Sequence, residues 1–223
     1  MRANFPARYT PQRYTQMRPV LAFVIVAALL ISSPLPVQAD KYPEPSIYPI
    51  EWQLGFKYGM PKRLVVGTDA YWYMTYTVTN KTGKEQIWAP SFQMVDNDGK
   101  IINAGHDINP VAFDKIKQIE RNRFLVPANK AVHELHQGDD QAKDSVAIWK
   151  EPNPRMGTFK IYIGGLSGEV VVLKDDDGKE VKDPDGQPVL LRKTLELTYA
   201  IYGDEFYPQR HDVHFLGEKW VMR

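Results

Sequence analysis

Asp175, Asp176, Asp177, Asp183 and Asp185 form the densest group of carboxylates in the chain, and hard cations take oxygen ligands. Folded back on itself, this stretch would offer a weak calcium site; as a solvated loop, the same aspartates act as turn formers. Histidines occur as His133 with His136, His211 with His214, and His106 alone. The HxxH spacing suits zinc on one helical face, where i and i+3 are neighbours. On a strand it sends the two rings to opposite sides, so a zinc centre would need both pairs to converge. Ser167, in Gly165-Leu166-Ser167-Gly168, lacks the GxSxG pattern and the strand-to-helix elbow of an activated serine. Gly164, Gly165 and Gly168 precede no helix start that could cradle phosphate. Asp96-Asn97-Asp98-Gly99 lacks the closing Glu of a calcium-binding loop and reads as a plain turn. No catalytic, cofactor-binding or metal-ligating residue is assigned, and the chain reads as non-enzymatic with no cofactor.

Aromatic content is the remaining chemical hint. Twelve Tyr and five Trp exceed what a core strictly needs, and exposed rings bind sugars and peptides. Tyr71 and Tyr73 are the candidates for such a platform. Cover by a helix or a second sheet is the competing expectation, because aromatics serve burial first.

The elements that would position these groups are strands. Tyr71–Gly83 (YWYMTYTVTNKTG) splits into a bulky row of Trp72, Met74, Tyr76 and Val78 and a second row of Tyr71, Tyr73, Thr75, Thr77 and Thr79. The first suits a core and the second partial exposure. Asn80-Lys81-Thr82-Gly83 makes a turn, and Gln86–Ala89 is expected to return as the partner strand. Glu51–Tyr58 and Lys62–Val66 precede it. Ser91–Val95 and Lys100–Ile102 form a hairpin across the Asp98-Gly99 turn. Asn109 caps and Pro110 opens one helix, with Ala112, Phe113, Ile116 and Ile119 at helical spacing. A short strand follows at Phe124–Val126, then strands at Ser145–Trp149 and Thr158–Ile163. Glu169–Leu173 and Leu190–Tyr202 flank an acidic hairpin extension. His211–Leu216 and Lys219–Met222 are read as a final strand pair. Many short strands with one helix predict a mainly β fold, an antiparallel sandwich.

The strand that runs through aromatics into TVTN and a glycine turn is similar to those of immunoglobulin-like domains in bacterial exported proteins. YWYMTYTVTNKTG, WAPSF, GLSGE, LRKTL and EKWVMR together resemble a group of uncharacterised exported bacterial proteins. The resemblance covers most of the chain beyond its first forty residues. It implies an immunoglobulin-like β-sandwich and no particular activity.

Arg2, Arg8, Arg13 and Arg18 precede twelve apolar residues, Val20–Ile31, and a stretch ending Val37-Gln38-Ala39. These are the three regions of a signal peptide, residues 1–39, cut after Ala39; an uncleaved anchor is the alternative, although the apolar run is short of the roughly 20 residues of a spanning helix. Residues 40–49 form a proline-rich lead-in, expected to be extended and loosely attached, and 50–223 a single domain. Loss of four arginines takes the 28 basic residues to 24 against 27 acidic ones, near −3, which argues against nucleic acid or insertion into an anionic membrane. With no cysteine, disulfides and thiol chemistry are excluded. The expectation is a non-catalytic module of the periplasm or cell surface, with a protein or cell-envelope partner and an oligomeric state left open. The alternatives are a carbohydrate-binding module using exposed Tyr or Trp, and a weak metal-binding protein or hydrolase.

Overall fold

The computed structural model describes residues 42–130, 133–152, 156–202 and 212–223. The predicted signal peptide and His211 lie outside the described residues. Residues Tyr42–Arg223 form one compact unit. In chain order the strands are β1 (Gly55–Tyr58), β2 (Lys62–Val66), β3 (Asp69–Thr79), β4 (Gln86–Trp88), β5 (Ser91–Val95) and β6 (Ile101–Asn103). Helix α1 (Pro110–Glu120) follows. Then come β7 (Val126–Pro127), β8 (His133–Leu135), β9 (Lys143–Lys150), β10 (Thr158–Gly164), β11 (Val170–Val172), β12 (Leu190–Tyr202) and β13 (Asp212–Met222). The fold is mainly β, with antiparallel sheets and, among the described residues, one α-helix.

Two sheets share a core. In the first, β3 has β9 along one side, with β7 beyond it, and β1 and β2 end to end along the other. The second runs β6-β5-β10-β12, with β13 on the far side of β12 and β11 pairing the start of β12. Trp72, Met74, Tyr76 and Val78 of β3 are all buried and pack with Phe92, Met94, Phe159, Ile161 and Leu197 of the second sheet. Trp72 against Phe159 and Tyr76 against Phe92, with ring centroids 5.6 Å and 4.7 Å apart, join the two layers. Period-2 patterning on both sheets therefore builds the core.

The outer row of β3 is covered, as aromatic burial favours, and offers no exposed platform. Tyr71 and Tyr73 are 1% and 3% exposed, because α1 lies over them with Val66, Val146 and Ile148. Asn109 caps that helix by accepting from the Val111 N–H. Residues 112, 116 and 120 follow at i+4 on the face toward the sheet: Ala112 and Ile116 are fully buried, and Glu120 accepts hydrogen bonds from the Tyr73 hydroxyl at 2.8 Å and Lys62 at 2.9 Å. Ile119, expected on that face, is exposed.

Several pairings also differ. Strand β4 pairs with β8, not with the central strand. A buried Asn80 directs this: its amide donates to the Lys84 and Leu135 carbonyls and its oxygen accepts from Thr82, so the turn after TVTN is stitched to β8. The expected final pair is one strand, β13, whose register shifts opposite Thr198/Tyr199 and whose Gly217 has φ 150°; this bulge absorbs the break that mimics a turn.

The lead-in is anchored at Ser46, with Tyr42, Ile47 and Tyr48 exposed around that point. Ser46 donates its N–H to Glu169 Oε1 at 2.8 Å, and its carbonyl accepts from Lys193 Nζ at 2.8 Å. Lys193 occupies the inward row of β12, in phase with Leu195 and Leu197, and lies 3.1 Å from Glu169 Oε2. Both side chains are buried, and the ammonium also faces the Trp220 ring. Burial alone would raise the Glu169 carboxyl; the Ser46 N–H and Lys193 outweigh it and hold it below the usual range.

Candidate functional site

Outward-facing positions of the second sheet form cross-strand rows. One row crosses five strands: Asn103, Gln93, Tyr162, Glu196 and Lys219. Gln93 donates to Asn103 at 3.1 Å. Glu196 receives Lys160 at 2.9 Å and lies 3.9 Å from Lys219. Burial would raise the Glu196 carboxyl, but Lys160 outweighs it and lowers it, while burial and then Glu196 push the Tyr162 phenol upward. Above Tyr162, the Arg223 guanidinium lies 3.9 Å from the ring centroid, a cation–π stack.

The next row is small. Ser91 pairs with Gly164, and Thr194 stands one position beyond the Ile163–Leu195 pair. A Cβ at Gly164 would meet Ser91 Oγ at 2.4 Å. Small side chains between larger ones leave a trench. Its far wall is Trp52, whose indole lies over Gly168, where a Cβ would be 2.4 Å from Nε1. The Gly168 N–H donates to the Trp52 carbonyl at 3.0 Å, and the Leu54 N–H to Leu166 at 2.9 Å, so the segment before β1 is clipped onto GLSG. At Gly165 the backbone has φ 85°, and a Cβ would lie 2.7 Å from the Ala89 carbonyl; only glycine fits that approach. The trench encloses about 690 Å³ and is lined by Arg192 and Arg223 but by no Asp or Glu.

Of the sequence candidates for metal chemistry, His211 and the side chain of His133 lie outside the described residues. Among the described residues no group of three or more His, Asp and Glu side chains converges. Asp175 Oδ1 accepts from the Asp177 and Lys179 N–H groups, and Asp183 Oδ1 from those of Asp185 and Gln187. Asp96 does the same for Asp98 and Lys100. All three are one D-x-D-G turn with a left-handed glycine. The acidic extension is two such lobes in an eight-residue repeat, LKDDDGKE and VKDPDGQP. Leu173, Val181 and Val189 close it with a ring of three 2.8 Å backbone bonds. His136 pairs with exposed Glu85, and His214 packs on Tyr202. Ser167 accepts from the Glu169 N–H at 3.2 Å.

Tyr71 and Tyr73 cannot serve as a platform, since α1 covers them. Gly164, Gly165, Ser167 and Gly168 drew notice in the sequence only as patterns that fail as a nucleophile elbow or a phosphate loop; Ser91, Thr194, Arg192 and Arg223 drew none. The signal for the trench is the outward alternation Lys160, Tyr162, Gly164, in which the period continues but the side chain disappears. No family model, no curated protein and no solved structure matches the chain.

Proposed function

We propose that this chain is an exported, non-catalytic binding module of the periplasm or cell surface, immunoglobulin-like in fold, that engages its ligand through the trench. The observation that carries this reading is an open groove with an aromatic wall, a floor of Ser91, Gly164 and Thr194, and fixed polar groups around it. Engaged side chains support the non-catalytic part: Ser167 accepts from backbone, Glu196 is ion-paired, and Asp175 and Asp183 hold turns. The strand order supports the immunoglobulin-like part. A sheet ordered (β1, β2)-β3-β9-β7 facing β6-β5-β10-β12 corresponds to strands A-B-E-D facing C′-C-F-G, with the short β7–β9 contact parallel as a departure. Export rests on the basic, apolar and small-residue succession of residues 1–39. Among the described residues no helix is long and apolar enough to cross a membrane.

The test is a thermal-melt comparison of the purified protein against soluble glycans, peptides, calcium and zinc. A stabilising ligand whose effect disappears in Ser91→Trp, which fills the trench from an exposed position, is the expected result. Stabilisation by a metal alone, or by a ligand indifferent to Ser91→Trp, contradicts the proposal.

A further inference from the structure

We infer that the trench takes an acidic glycan, one bearing carboxylates of the uronic-acid type. This rests on the trench being the binding site.

Charge is the first argument. Two arginine side chains line the groove with no Asp or Glu side chain among the lining residues, and Glu196, in the adjacent row, is already neutralised by Lys160 and Lys219. The local balance is therefore positive in a chain whose remainder carries a slight acidic excess. Arg223 is pre-ordered by its stack on Tyr162 at 3.9 Å. A guanidinium held by its face keeps its N–H edges for bidentate binding of a planar carboxylate, and ordering before binding lowers the entropic cost of capture.

The rest of the lining suits a sugar. Ser91 offers an exposed hydroxyl, Gln93 and Thr194 offer oxygens as acceptors while donating to Asn103 and the Arg192 carbonyl, and Trp52 is a half-buried indole at the wall. Aromatic walls take the C–H faces of pyranose rings while short polar groups take their hydroxyls. An acidic peptide would use the arginines and could meet the polar floor through its backbone, but a glutamate or aspartate chain brings no C–H ring face to Trp52.

The experiment is calorimetric titration of the purified protein with tetragalacturonate, its fully methyl-esterified form, and tetraglutamate. The acid form should bind at least tenfold tighter than the ester, and binding should weaken with salt. Arg223→Ala and Arg192→Ala should each lose roughly tenfold, and Arg223→Lys should not restore affinity, because a lysine supplies charge without the planar fork. Both arginines are exposed, so these variants keep the fold, checked by unchanged melting temperature. Ester binding equal to acid binding, yet abolished by Trp52→Ala, overturns the acidic class and leaves the trench as the site. Tetraglutamate binding as tightly as tetragalacturonate overturns the glycan. Absence of binding by any of the three overturns the inference, and binding indifferent to Trp52→Ala and both arginine variants overturns the trench as well.

Discussion

Lys193 is the residue at which pattern and chemistry conflict most sharply. Alternation along β12 points it inward with Leu195 and Leu197, where a lysine is stable only if its charge is met. Glu169 and the Ser46 carbonyl meet it. Lys193→Met alone leaves Glu169 buried without its partner and should cost about 3–5 kcal/mol in urea unfolding. Adding Glu169→Leu should recover most of that loss, while freeing the lead-in at Ser46. The carboxyl of Glu169 titrates lower in the folded chain than in the unfolded one. Its stabilisation is therefore complete above the ordinary carboxylate range, about pH 4.3, and is lost as pH falls through the depressed folded value. Glu169→Gln should flatten the acid limb of a melting-temperature profile; an unchanged acid limb would contradict the pairing. This latch was legible only as an anomaly, a charged residue in a buried register, because sequence cannot say which acid answers it.

At the scale of elements, α1 and the D-x-D-G turns follow their sequence signals. Helix, cap and start were readable from Asn109-Pro110 and the apolar spacing. Cover of Tyr71 and Tyr73 by a helix or a second sheet was the expectation that aromatic burial favours; which of the two does so was not readable, since a row of Tyr and Thr suits either. Ile116→Ala should cost about 2–5 kcal/mol, because the site is fully buried between the helix and β3. An effect below about 1 kcal/mol, within the range of a surface substitution, would mean the helix is not packed as described. The aspartates of the acidic repeat were legible as turns. Their carboxylates already accept two backbone N–H groups each at Asp175 and Asp183, so millimolar calcium should leave the melting temperature unchanged. The pairing of β4 with β8 was hidden because Asn80 redirects the chain through side-chain bonds that no periodicity encodes.

On the scale of the whole molecule, two sheets of different character meet. The first is covered on both faces, by the core and by α1, which is why β9 is buried at consecutive positions from Ser145 to Trp149. The second has the core on one face, and its outer side carries polar rows, in which Thr194 and Glu196 are themselves buried, and the trench. Alternation made the shared core readable, since Trp72, Met74, Tyr76 and Val78 all point into it. The trench depends on cross-strand register, which brings Ser91, Gly164 and Thr194 into line from three separate strands. Local sequence does not fix that register. The most direct test of the trench as the working surface is an amide chemical-shift map of the purified protein titrated with tetragalacturonate. Shifts should cluster on Trp52, Tyr162, Gly164, Arg192 and Arg223 and leave α1 and the acidic repeat unmoved. Shifts confined to α1 or the acidic repeat, or none at saturating ligand, would contradict the account.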